Sequence, residues 1–136
     1  MTSQDERDIG ALVDAFFDAF TNRGGTAANV DSLYGAFLPE AVIVKNAGAK
    51  PVTYDVRGFI EPRRELLNGG SVADFREWEI SGRTEIFGNI AQRFSRYAKS
   101  WIEDGEAHSG SGAKAMHFVR TAAGWKIASL VWDDDD

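Results

Sequence analysis

The strongest constraint on how this chain folds is the stretch from residue 88 to 133, GNIAQRFSRYAKSWIEDGEAHSGSGAKAMHFVRTAAGWKIASLVWD. Three runs rich in aromatic, aliphatic and alternating residues, Ile90 to Trp101, His108 to Arg120 and Trp125 to Trp132, are separated by Glu103-Asp104-Gly105 and by Ala122-Ala123-Gly124. Glycine reaches the positive φ that a tight hairpin needs, so Asp-Gly and Ala-Gly between such runs predict three consecutive antiparallel strands. A sheet this apolar on both faces has to be covered. The N-terminal half is the only part of the chain that supplies a cover.

That half begins with helical periodicity. Ser3 and Glu6 have capping-box spacing. Ile9, Leu12, Val13, Phe16, Phe17 and Phe20 then recur at i, i+3, i+4, i+7, i+8 and i+11, with Asp8, Asp14 and Asp18 on the other faces. Asn22-Arg23-Gly24-Gly25 ends this first helix. Val30, Leu33, Tyr34, Phe37 and Leu38 repeat the spacing, predicting a second helix stopped by Pro39. Ala41 to Asn46 is a short β-branched strand, and Pro51 to Val56 adds a smaller one. Gly58 to Leu67 predicts a third helix, with Pro62 in its first turn where no intrahelical amide is required. Val72 to Phe87 is a long strand in which Ser81-Gly82 marks a bulge or bend. The order of elements predicts an α+β domain: three N-terminal helices on one strongly bent antiparallel sheet. One domain spans residues 1–136, with 1–5 and the aspartates at 134–136 expected to fray.

Composition narrows the function classes. A chain of 136 residues buries a core without staples, and the absence of cysteine removes disulfides and thiolate metal sites. A net charge of −6 argues against nucleic acid and anionic membranes as partners. No apolar run approaches the ~20 residues of a membrane span. The opening MTSQDERDIG lacks the basic-then-apolar pattern of a signal peptide, so a cytoplasmic protein is expected. Two separated histidines give no zinc or iron site, and no cofactor is expected.

Ile90-Ala91-Gln92, Ser95-Arg96-Tyr97 and the closing Gly124-Trp125-Lys126-Ile127, in this order of helices and strands, resemble the SnoaL-like (polyketide cyclase-like) branch of the nuclear transport factor-like superfamily. The resemblance covers nearly the whole chain. It implies a cone-shaped α+β barrel with a cystatin-like fold, in a superfamily that holds isomerases, dehydratases, cyclases, epoxide hydrolases and non-enzymatic modules. Fold alone therefore assigns no reaction. In the ketosteroid isomerases of this superfamily a tyrosine and two aspartates do the chemistry. The matching places here look like Phe16, Lys45 or Asn46, and Met116, none of which is the required group.

If Met116 faces the interior, period 2 sends Lys114 and Phe118 inward and His117 outward, toward the surface or a dimer face. Candidate acid–base residues are Asp74, Glu77, His117 and Asp133. For Glu77 and Glu79 the simpler alternative is a solvated face with ion pairs to Arg93 or Arg96. Phe16, Tyr34, Trp78, Tyr97 and Met116 are candidate walls for a flat apolar or aromatic ligand, although core packing or an oligomer interface accounts for aromatic residues equally well. Two functions stay open. One is a small-molecule-binding cone, acting as a cofactor-free lyase, isomerase or cyclase. The other is a non-catalytic dimeric module. A cavity with a buried carboxylate or histidine favours the first; an interior filled by Phe16, Phe20, Met116 and Phe118 favours the second. In either case the uncovered sheet face predicts a twofold dimer.

Overall fold

The computed structural model describes residues 2–48 and 50–135. Helix α1, Gln4–Asp18, is capped by the Ser3 hydroxyl, which accepts from the Glu6 amide at 3.1 Å. It buries Ile9, Val13, Phe16 and Phe17, as the periodicity predicts. Two short 3-10 turns follow, Arg23–Gly25 and Val30–Gly35. Strands β1, Phe37–Lys45, and β2, Val52–Tyr54, precede helix α2, Val56–Asn68. Strands β3, Val72–Phe87, β4, Ile90–Glu103, β5, Glu106–Thr121, and β6, Gly124–Asp134, complete the chain.

All six strands form one sheet in the order β2-β1-β6-β5-β4-β3. The meander is as expected, and its turns use the anticipated residues: Asp104 and Gly105 both have positive φ, at 53° and 76°. That pair of left-handed residues is the signature of the two-residue turn that matches strand twist. The sheet is mixed, however, because β1 runs parallel to β6. A purely antiparallel sheet is corrected on this point. With α2 and four strands intervening, β1 and β6 are free of the hairpin constraint that forces antiparallel neighbours.

Two further expectations change. The second helix is only the 3-10 turn Val30–Gly35, and Pro39 lies inside β1 rather than after a helix. Proline drives the residue before it, Leu38, out of helical space. Its missing amide costs nothing here, since the β1–β6 register breaks between Phe37 and Val42. The third helix starts two residues earlier than predicted. The Asp55 carboxylate caps it by accepting from the Gly58 amide at 2.7 Å, which leaves Pro62 beyond the first turn.

Bulges set which side chains face the helices. In β3 the register shifts between Glu79 and Ser81, one residue before the expected Ser81-Gly82, with Ile80 as the extra residue. In β6 the pairing passes from Ile127 opposite Phe118 to Ser129 opposite His117, so Ala128 is extra. Ile127 therefore joins Leu130 and Trp132 on the covered face, not Ser129 and Val131 as strict alternation requires. The covered face and the helices share one core that includes Ile9, Phe16, Phe37, Ile43, Met116 and Phe118. The opposite face exposes Phe87, Ile90, Phe94 and Val131, with Phe87 84% accessible.

Side chains near both ends are bonded to the sheet. Asp5 lies in α1 and accepts from the Arg120 guanidinium at 2.6 and 2.8 Å. Asp134 ends β6, and Asp135 pairs with Arg96 at 2.6 Å and with Ser111 at 2.6 Å. Residue 136 lies outside the described residues.

Candidate functional site

Sheet register brings the chemistry of the molecule to one place beneath α2. Ser95, Lys114 and Trp132 are cross-strand neighbours on β4, β5 and β6, and Tyr97, Gly112 and Asp134 form the next row. Glu77 stands opposite Lys99 at the β3–β4 pair. Cross-strand partners share a face, so these side chains converge on the covered side of the sheet.

At the centre is a desolvated ion pair. Lys114 Nζ lies 3.4 Å from Glu77 Oε1, and the two residues are 5% and 8% accessible. The ammonium also sits 4.1 Å from the Tyr97 ring centroid and 4.9 Å from that of Trp132, where ring faces attract a cation. Burial drives the Lys114 pKa below the ordinary lysine value, and the Glu77 carboxylate only partly offsets that effect. A lysine so placed gives up its proton more readily than one in water. It is therefore suited to act as a base.

Beside this pair the Tyr97 hydroxyl donates a short hydrogen bond to Asp134 Oδ1, and Lys99 Nζ approaches Oδ2 at 3.4 Å. The approach of β6 depends on Gly112, because a Cβ there would lie 2.8 Å from Tyr97 Oη and 2.9 Å from Asp134 Cα. Burial, and then the Asp134 carboxylate, push the Tyr97 phenol well above its usual range. Tyr97 is thus a fixed hydrogen-bond donor rather than a base.

Helix α2 closes the other side. Phe59, Arg63 and Leu67 recur at i and i+4 along one face of the helix. The Arg63 guanidinium lies over the rings of Phe59, Tyr54 and Trp132, with centroid distances of 4.1, 5.1 and 5.5 Å. Between helix and sheet is a cavity of about 160 Å3, walled by Phe20, Phe59, Phe75 and Trp132 and reached by Glu77, Lys114, Lys99, Arg63, Lys45 and Asp134. Among the described residues no cluster of three or more His, Cys, Asp or Glu side chains is arranged to hold a metal ion. Among the same residues no helix is long and apolar enough to cross a membrane.

Of the residues singled out from sequence, Glu77 and Tyr97 line this cavity. Phe16 and Met116 are fully buried in the core, where Phe16 packs edge-on against Phe17, Phe20 and Phe37. Tyr34 is 45% exposed. Trp78 turns away from the cavity, under the Arg76 guanidinium at 4.4 Å. Asp74 is exposed, holds a φ of 50° and accepts from the Gly24 amide at 2.9 Å, a bond that ties the first 3-10 turn to β3. His117 faces outward as alternation predicts and is hydrogen-bonded to Ser129 at 2.8 Å. Asp133 is exposed, and Asp134 takes the inward place. Glu79 forms the anticipated ion pair with Arg93, at 2.6 Å, and is also bonded by Ser95. Burial pushes the Glu79 carboxyl up, but the Arg93 and Ser95 hydrogen bonds outweigh it and hold the group below the usual carboxylate range.

Lys114, Arg63, Lys99 and Asp134 were not among those candidates. The signal for Lys114 was the alternation that turns Met116 inward. For Asp134 it was the same alternation counted from Trp132.

No family model matches the sequence, and no curated protein is similar to it. Solved structures do share its architecture. An NTF2-like superfamily protein from Salmonella enterica serovar Typhimurium superposes with a TM-score of 0.81 at 12% identity, covering 100% of this chain and 94% of that one. An NTF2-like protein with a cystatin-like fold from Novosphingobium aromaticivorans gives 0.72 at 16% identity, covering 98% and 83%. A candidate Ca/calmodulin-dependent kinase II association domain from Exiguobacterium sibiricum gives 0.75 at 10% identity, covering 100% and 97%. The chain therefore has the cystatin-like α+β fold of the nuclear transport factor 2-like superfamily.

Proposed function

We propose that this protein binds a small organic molecule in the cavity between α2 and the sheet, and that Lys114 and Glu77 move a proton to or from it without a cofactor. The supporting observation is the buried Glu77–Lys114 pair opening onto a cavity walled by Trp132 and Phe59. Here both partners border the open space. A lyase, isomerase or cyclase reaction fits such a pair, with deprotonated Lys114 as base and Glu77 as the group that holds the resulting ammonium. The test is an NMR screen of small aromatic compounds. Binding should shift the Trp132 indole and Phe59 resonances saturably, and Leu66→Trp at the cavity wall should abolish the shift. Hits confined to other surfaces, or no hits, would contradict the proposal.

A second reading has an observation of its own. Phe16, Phe20, Met116 and Phe118 fill the interior, each 5% accessible or less. The remaining 160 Å3 lies below the ~300–1,000 Å3 usual for ligand sites. On this reading the protein is a non-catalytic module. Self-association through the outer sheet face accompanies either reading, with Phe94, Phe87 and Ile90 at its centre and His117 nearby. The likeness to association domains is in keeping with it. Light scattering should return twice the chain mass of 14.9 kDa at micromolar concentration, and a monomer mass would count against the interface.

A further inference from the structure

We infer that the ligand of this cavity is a small organic anion with a flat apolar body, for which a benzoate-sized carboxylate is the simplest representative. The inference rests on the ligand-binding reading above and adds the chemical class. Among the described residues four cationic side chains, Lys45, Arg63, Lys99 and Lys114, reach the cavity against two carboxylates, Glu77 and Asp134. This excess stands in a chain whose net charge is −6, so it is local and opposite to the background. If Lys114 is neutral, three cations still face two carboxylates.

How the charges are partnered decides the sign of the ligand. Glu77 is held by Lys114, and Asp134 by the Tyr97 hydroxyl and Lys99. Both carboxylates are thus occupied. Among the described residues, neither Arg63 nor Lys45 forms an ion pair. The Arg63 guanidinium is instead held flat by aromatic rings, 4.1 Å from the Phe59 centroid, and donates to the Phe59 carbonyl at 3.0 Å. A guanidinium oriented by ring faces and lacking a carboxylate keeps N–H groups free for the bidentate contact that a planar carboxylate makes. A cationic ligand would have to compete with Lys114 and Lys99 for carboxylates that are already paired, and would face two unpaired cations.

Size and wall chemistry set the body of the ligand. A cavity of 160 Å3 is close to the ~150 Å3 that accommodates one benzene ring. Trp132 is stacked on Tyr54 with planes 10° apart, which fixes an indole face as one wall.

The experiment uses the full chain and three probes of one shape: benzoate, benzamide and benzylamine. Each is titrated while the Trp132 indole and Lys114 Nζ resonances are followed. Benzoate should bind at least ten-fold more tightly than benzamide, and benzylamine should leave these resonances unmoved. Arg63→Met should weaken benzoate about ten-fold and benzamide little. Lys45→Gln, which removes no ion pair, provides the same comparison if Arg63→Met fails to fold. Benzamide or benzylamine binding in the cavity as tightly as benzoate would overturn the anion assignment and leave the binding site standing. Failure of all three probes to perturb either resonance would overturn both.

Discussion

At the scale of single residues, the cost of burying Lys114 and Glu77 decides what the site can do. Charges removed from water recover their solvation only through each other, so the pair stands or falls as a unit. Glu77→Gln and Lys114→Met should each destabilise the fold by about 3–5 kcal/mol, because either leaves one uncompensated buried charge or donor set. The double replacement Glu77→Leu with Lys114→Met should cost less than either single change. Urea unfolding of the three variants checks this, and additive losses would show that the two groups do not interact. Glu79 offers a second test at this scale. Its carboxyl is held below the unfolded value, so it contributes stability above about pH 4.3, which is lost as pH falls through the lower folded value. Glu79→Gln should therefore be less stable than the natural chain by about 1–3 kcal/mol at pH 7, and the gap should close in acid. A pH-independent gap would contradict the assignment.

At the scale of elements, hairpins and α1 were legible because their signals are local. Asp104-Gly105 admits only a tight turn, and Ile9 to Phe20 permits only one buried helical face. The parallel pairing of β1 with β6 was not legible, since it joins residues more than eighty positions apart and leaves no turn chemistry behind. Bulges hid more. The extra residue at Ala128 returns Ile127 to the core side, against the alternation read from Leu130 and Trp132. Pro62 illustrates how a local rule gives way to a cap. Asp55 sets the helix start, and the proline then removes one amide from the helix interior. Pro62→Ala restores the bond to the Gly58 carbonyl and should raise stability by about 1–2 kcal/mol, after allowing for the greater freedom of the unfolded chain. Thermal or urea unfolding measures it; a loss of stability would mean that α2 is bent there for a reason of packing.

At the scale of the whole molecule, the two faces of the sheet have different work. One carries the helices, the core and the cavity; the other is left with Phe87, Ile90 and Phe94 uncovered. Part of the cavity lining was legible in the sequence. Glu77 was named as an acid–base candidate, with a solvated face as the alternative, and Tyr97 as a pocket wall; the inward register of Lys114 followed from Met116. What stayed hidden was the convergence: Arg63 from α2, Asp134 from the last residue of β6 and Lys114 from the middle of β5 meet only once β6 has paired with both β5 and β1. No spacing in the chain records such a meeting. This convergence desolvates Lys114 beside a cavity, the condition on which its proposed role as a base depends. Site-resolved NMR titration of the Lys114 Cε and Nζ resonances in the folded protein tests it most directly. The midpoint should lie clearly below the ~10.4 of an ordinary lysine, with a return toward that value in the denatured chain. A midpoint at or above it in the folded protein would rule out Lys114 as the base.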